Sequence, residues 1–252
     1  MKIAIFQADT KDGKVKENIT RYKSLLNNLE TDTNLIILPE MFLTGFTFDV
    51  NLAQREEEGL EFMKETAHKY NTAVCGSLFI MENGQYFNRN YFVFPNSRVE
   101  YYDKKHLFSI TDEVKILTAG NEKKVVAYKG WKIRLLTCYD LRFNTWSNNA
   151  VHNKIFDYDL LIYVASWADV RIKAWDALLP ARAIENMAFV AGVNRCGKDK
   201  KNRTYSGHSA VFNYKGETLI TAKNKKEEIA YCSLDREQLL LFRNQFPVWK
   251  DW

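Results

Sequence analysis

At 252 residues the chain fits one large domain, 1–252, and is long enough to bury a substantial core. Its 46% hydrophobic and 27% charged residues exclude a disordered chain. The formal charge of +5 arises from 36 basic and 31 acidic residues spread along the sequence, without the basic, aromatic-interleaved stripe of a nucleic-acid binder.

Met1 to Asp9 lacks the cleavage site of a signal peptide, and no apolar run reaches the length of a membrane span, so a cytoplasmic protein with no membrane partner is expected. The first elements alternate: a strand over 3–9, a helix over 14–29 with Ile19, Tyr22, Leu25, Leu26 and Leu29 at helical spacing, a strand over 35–39, a helix over 60–70 and a strand over 72–80. Longer strands over 86–94 and 124–138 follow, with turns at Asn83-Gly84 and Lys129-Gly130. A short helix over 143–153 leads to a strand over 160–165. A longer helix carrying Ala183, Ile184, Met187 and Ala188 comes next, kinked by Pro180 or starting there. Strands over 189–193, 207–214 and 228–234 and a helix over 235–243 complete the chain. This mixture predicts a layered α/β fold in which two sheets pack together beneath outer helices.

Cys75, Cys138, Cys196 and Cys232 show neither CxxC nor zinc spacing, so four free thiols and no metal site are expected. Cys138 differs from the others in its setting. It stands where the apolar run Ile133 to Thr137 gives way to the turn Tyr139-Asp140-Leu141-Arg142, an address that offers free backbone N–H groups to a nucleophile. Leu35 to Pro39 ends in a carboxylate, Glu40, and Tyr102-Asp103-Lys104-Lys105-His106 places lysine before an apolar pair. If these segments converge, Cys138 can attack an amide carbon while Glu40 takes and returns its proton. The Lys105 ammonium and the Tyr139 backbone N–H would hold the oxyanion, and Glu113, a second acid, would hold the lysine or support hydrolysis. Taken singly, each of these residues reads as an ordinary surface charge or core filler.

The blocks Leu38-Pro39-Glu40-Met41-Phe42-Leu43-Thr44-Gly45-Phe46, Lys104-Lys105-His106-Leu107-Phe108 and Leu136-Thr137-Cys138-Tyr139-Asp140-Leu141-Arg142-Phe143 resemble, in order and spacing, the signatures of the nitrilase (carbon-nitrogen hydrolase) superfamily. Tyr163 to Trp167, Ala181 to Asn186, Gly192 to Arg195 and Tyr205 to Ser209 resemble further blocks of it, so the similarity spans nearly the whole chain. The resemblance implies a four-layer αββα sandwich of two mixed sheets with outer helices, a Glu40-Lys105-Cys138 triad, and no cofactor. It also implies a homodimer or higher homo-oligomer, for which the aromatic tail Phe246 to Trp252 would suit a subunit contact or fold back on its own domain.

Within the superfamily the sequence is most similar to bacterial omega-amidases, which implies hydrolysis of ω-amides such as 2-oxoglutaramate through a cysteinyl thioester. Asn144 departs from the proline that many members carry after Arg-Phe. Phe42, Phe46, Tyr139 and Trp167 are the expected pocket walls. Arg142 reads as the structural partner of an acid such as Glu185, with capture of a substrate carboxylate as the alternative. Three rivals stand beside this reading: a carbamoylase or nitrilase on the same scaffold, a cysteine-histidine hydrolase using His208, and a non-catalytic assembly protein. His106 is expected to pack beside Lys105 rather than to act in catalysis.

Overall fold

The computed structural model of the chain describes residues 1–252. Strand β1 (Lys2–Gln7), helix α1 (Val15–Leu26), β2 (Leu35–Ile37), helix α2 (Glu56–Lys69), β3 (Ala73–Glu82), β4 (Gln85–Val93) and β5 (Val99–Asp103) make up the first part of the chain. The one-turn helix α3 (Glu113–Ile116) leads to β6 (Val125–Tyr128) and β7 (Trp131–Thr137), joined at the expected Lys129-Gly130 turn. Beyond them lie α4 (Asn144–Ser147), a small ribbon of β8 (Val151–His152) and β9 (Ile155–Phe156), β10 (Leu160–Ala165), α5 (Ile172–Asn186) and β11 (Phe189–Asn194). A second ribbon, β12 (Cys196–Lys198) and β13 (Thr204–Ser206), precedes β14 (Ala210–Phe212), β15 (Thr218–Thr221), β16 (Glu228–Ser233) and α6 (Arg236–Gln245).

From one edge to the other the first sheet runs β5-β4-β3-β2-β1-β16 and the second β15-β14-β11-β10-β7-β6. In both, successive pairings are antiparallel, antiparallel, parallel, parallel, antiparallel. The sheets therefore share one pairing pattern, although the outer edge strand is β16 from the end of the chain in one and β6 from the hairpin with β7 in the other, and the end of β2 in one is the counterpart of the end of β10 in the other. Side chains alternate across each strand and so sort the layers. Ile3 and Ile5 of β1 join Leu135 and Ile162 in the core between the sheets, whereas Ala4 and Phe6 pack beneath Tyr22 and Leu26 of α1 and Phe62 and Met63 of α2. On the far side, α5 lays Trp175, Leu179 and Ala183 against the second sheet. A Cβ at Gly192 of β11 would fall 2.5 Å from Leu179 Cδ1 and 2.8 Å from Trp175 Cζ2, so glycine sets how closely that helix approaches. This is the four-layer αββα arrangement expected from the sequence.

The differences have local causes. Residues 143–153 do not form a helix beyond α4, because Asn144, Thr145, Ser147, Asn148 and Asn149 favour side-chain to backbone bonds over helical ones. Asn149 shows this directly: its N–H donates to Asn186 Oδ1 (2.9 Å), its Nδ2 to Tyr158 O (3.0 Å) and Asn186 O (2.9 Å), and its Oδ1 accepts from Tyr158 N (3.0 Å). Helix α5 neither starts at Pro180 nor stops there, since the buried Trp175, Leu179 and Ala183 face carries it through the lost hydrogen bond. The half-exposed edge strand β5 has no clean apolar alternation and was not expected. The tail folds back on its own chain, where Trp249 and Trp252 lie edge-on to Phe156 and Trp249 Nε1 donates to Arg243 O. No helix is long and apolar enough to cross a membrane.

Because the Asn149 side chain satisfies three buried backbone groups at once, Tyr158 O, Asn186 O and Tyr158 N, Asn149→Ala should cost about 2–3 kcal/mol, the scale for stranding buried hydrogen-bonding groups. Urea unfolding followed by circular dichroism reads this as a lowered midpoint at unchanged slope; an unmoved midpoint would show that the segment after α4 is held by something else.

Candidate active site

Glu40 follows β2 through Pro39 and is completely buried. The next residue, Met41, has φ 47°, and this left-handed step turns the chain and leaves the carboxylate pointing between the two sheets. Its Oε1 accepts from Asn88 Nδ2 (2.7 Å) and from Lys104 Nζ (2.9 Å), and its Oε2 accepts from the Ser166 backbone N–H (2.7 Å). Ser166 directly follows β10, so the shared pairing pattern of the two sheets becomes a contact at this point. One sheet end supplies the acid and the other an N–H donor.

Lys104 lies one residue beyond β5, with its side chain buried beside two acids. Nζ donates to Glu40 and to both oxygens of Glu113, at 2.8 and 3.1 Å. Burial alone would lower the pKa of this ammonium, but Glu113, Glu40 and Cys138 outweigh it and hold the group charged well above its ordinary range. Glu113 opens α3 and also accepts from Phe108 N (2.6 Å). Burial pushes its carboxyl up, Lys104 opposes that shift, and Glu40 adds to it.

Cys138 directly follows β7 and is buried, with φ 46°, a conformation that costs a residue with a side chain of order 1–3 kcal/mol. Burial and then the Glu40 carboxylate push its thiol well above the ordinary value, against the pull of Lys104 and the Ser166 N–H, so the resting sulfur carries its proton. Asp140 braces this turn. Its Oδ2 accepts from Thr137 N (3.0 Å) and Tyr102 Oη (2.8 Å), and its Oδ1 bonds the backbone N–H and ring Nδ1 of His106. The segments carrying lysine and cysteine are thereby clamped together by a fully buried carboxylate.

Two expected site residues lie elsewhere. Lys105 is not the lysine between the acids: its Nζ lies 5.4 Å from the centroid of the Trp146 ring. Strand alternation places the right lysine: Tyr102 and Lys104, two residues apart at the end of β5, are both buried, while Lys105 falls out of that phase and is only half-buried. Phe42 packs beneath α1 and α2 against Tyr22 and Phe62 instead of lining a pocket. Arg142 does not pair with Glu185, because Arg182 takes that acid at 2.8 Å. His208 bonds Asp176, and His106 stacks on Phe143 with ring centroids 3.7 Å apart; neither lines the cavity over Cys138.

That cavity has Cys138, Lys104 and Ser166 in its lining. Phe46, Phe108, Tyr139 and Trp167 form its aromatic walls, and Arg142, Arg171 and Arg203 also face it. Asn88, Ser166, Arg171 and Arg203 escaped sequence reasoning. Only the parity of residues around Lys104 carried a usable signal. The arrangement brings a protonated thiol and a fixed cation to the wall of one pocket, with a proton acceptor and a second acid hydrogen-bonded to that cation, which is equipment for acyl transfer.

Residues 2–244 match the family described as carbon-nitrogen hydrolase. Omega-amidase YafV of Escherichia coli K12 is 40% identical over 224 residues, covering 88% of this chain and 85% of that protein. A 2-oxoglutaramate amidase of Bacillus subtilis is 30% identical over 255 residues, covering 99% and 96% of the two chains. Among solved structures, a CN-hydrolase superfamily protein of Xanthomonas campestris with an arsenic adduct in its active site superposes with a TM-score of 0.96 at 32% identity, covering 100% of this chain and 97% of that one.

Removing the cation from between two buried acids should be costly. Lys104→Met should destabilise the fold by about 3–5 kcal/mol near neutral pH, the scale for breaking a buried ion pair from one side. In the variant a carboxylate of the pair becomes a weaker acid folded than unfolded, so the folded state binds the extra proton. Stability should therefore recover as pH falls from about 8 towards about 5. Urea midpoints across that range, with Lys105→Met as the control, check this; equal midpoints for the two variants would contradict the assignment of the buried cation.

Proposed function

The chain belongs to the carbon-nitrogen hydrolase family and is a hydrolase acting on amides, and from that premise we propose that it hydrolyses the terminal amide of small ω-amido carboxylic acids, 2-oxoglutaramate and 2-oxosuccinamate among them, through a thioester on Cys138. The observation that carries the reading is the buried Lys104 ammonium, hydrogen-bonded to Glu40 and Glu113 in the cavity that Cys138 lines. The omega-amidase and 2-oxoglutaramate amidase relatives support the choice of substrate.

Cys138 Sγ attacks the amide carbon as its proton passes to Glu40, which suits a thiol held protonated at rest. The pocket's net charge is conserved in this step: the negative charge leaves Glu40 and reappears on the carbonyl oxygen. Lys104 then turns from a carboxylate that has become neutral to the new oxyanion, aided by the Tyr139 N–H in the first turn after the nucleophile. Collapse of the tetrahedral intermediate breaks the C–N bond, and Glu40 returns its proton to the departing ammonia. Water, deprotonated by Glu40, next attacks the thioester, giving the carboxylate and restoring the thiol. Glu113 keeps Lys104 charged and in place throughout.

Cys138→Ala should abolish ammonia release while leaving the fold intact, and a slowly hydrolysed ω-amide should leave an acyl adduct that mass spectrometry maps to Cys138. Lys104→Met should lower kcat by at least about a hundredfold, the range for loss of an oxyanion donor, whereas Lys105→Met should turn over near the wild-type rate. Retained activity in Cys138→Ala, or an equal loss in both lysine variants, would overturn the mechanism.

A further inference from the structure

Lys104 is matched by two acids beside Cys138, but the arginines facing the cavity are not so matched. Neither Arg142 nor Arg171 has a carboxylate within ion-pair distance. Each instead approaches an aromatic wall, Arg142 at 5.1 Å from the Trp167 ring centroid and Arg171 at 4.9 Å from that of Phe108. Guanidinium groups held against rings keep N–H donors free along their edges.

Arg203 is fixed in another way. Its Nε donates to Asp199 Oδ2 at 2.5 Å, while Asp199 Oδ1 is occupied by the backbone N–H groups of Lys201 (2.8 Å) and Arg203 itself (2.9 Å). Tyr205 Oη also donates to Asp199, and the buried Arg195, paired with Asp12, lies 4.6 Å from the Tyr205 ring centroid. The turn between β12 and β13 is thus braced from behind, and Arg203 makes no bond through its terminal nitrogens. Three guanidinium charges face the pocket with one carboxylate, Asp199, to offset them.

From this we infer that Arg171 and Arg203, with Arg142 beside them, form a carboxylate-binding subsite. It selects short amides that carry a carboxylate at the end opposite the scissile bond. The inference rests on the proposed attack of Cys138 on an amide and adds the residues that choose among amides. Two fixed cations with free N–H edges suit a planar, two-oxygen anion, and a neutral chain end would leave both unpaired in a largely enclosed pocket.

The probes are 4-carbamoylbutanoate and pentanamide, which differ in having a carboxylate or a methyl group at the far end. Wild type should strongly prefer the former. In Arg171→Met/Arg203→Met, kcat/KM for 4-carbamoylbutanoate should fall at least about a hundredfold, mostly through KM, while that for pentanamide stays within about threefold. Calorimetric titration of glutarate into Cys138→Ala, with and without the two arginine substitutions, reads the subsite without turnover; binding should weaken at least about thirtyfold. Equal losses on both amides, or an unchanged preference together with unchanged glutarate binding, would overturn the subsite. Wild-type turnover that survives Cys138→Ala would instead overturn the reaction, and the glutarate titration would still decide the subsite.

Discussion

The contact on which the site depends is one buried ammonium shared by two carboxylates. Lys104 comes from the edge of the first sheet, Glu113 from the short helix after it and Glu40 from the end of a central strand. Each is completely buried or nearly so, and an unpaired charge at that depth would cost several kcal/mol. The three groups are consequently obliged to find each other when the chain folds. Glu40 is also bonded by Ser166, which directly follows β10, so the same cluster ties the two sheets together at the end where Cys138 emerges.

The cluster also limits what chemistry is available. A cation so close to Cys138 favours a standing thiolate, yet desolvation and the neighbouring Glu40 outweigh it and keep the thiol protonated. In the proposed mechanism, reactivity then waits for a substrate that can accept negative charge as the proton leaves. Buried Cys75, its thiol also pushed up by burial, has no acid of this kind beside it and packs in the core between the sheets.

Much of this was legible in the sequence where a pattern had a physical cause. The β-branched runs before Glu40 and Cys138 mark central strands whose ends open on one edge, and Leu160 to Ala165 was bounded as the structure has it. Choosing between Lys104 and Lys105 required the phase of β5, a strand whose mixed Val-Glu-Tyr-Tyr-Asp sequence hides its alternation. Phe42 sits in a block with Glu40, but Met41 turns the chain between them and sends the ring to the helical layer. Asn88, Arg171 and Arg203 come from three segments remote in sequence. Their convergence is a property of sheet order and of the braced 199–203 turn, which no local spacing records.

The left-handed backbone at Cys138 has an evolutionary side. Almost any side chain at that position carries a conformational penalty, smallest for asparagine and aspartate, and glycine escapes it. Selection for stability alone would therefore push this position towards glycine, and selection for the proposed role of Cys138 in catalysis pushes it back. A descendant released from its chemical duty would gain robustness by the very substitution that silences it. Glycine at this turn would then be the scar by which a retired enzyme of this architecture could be recognised.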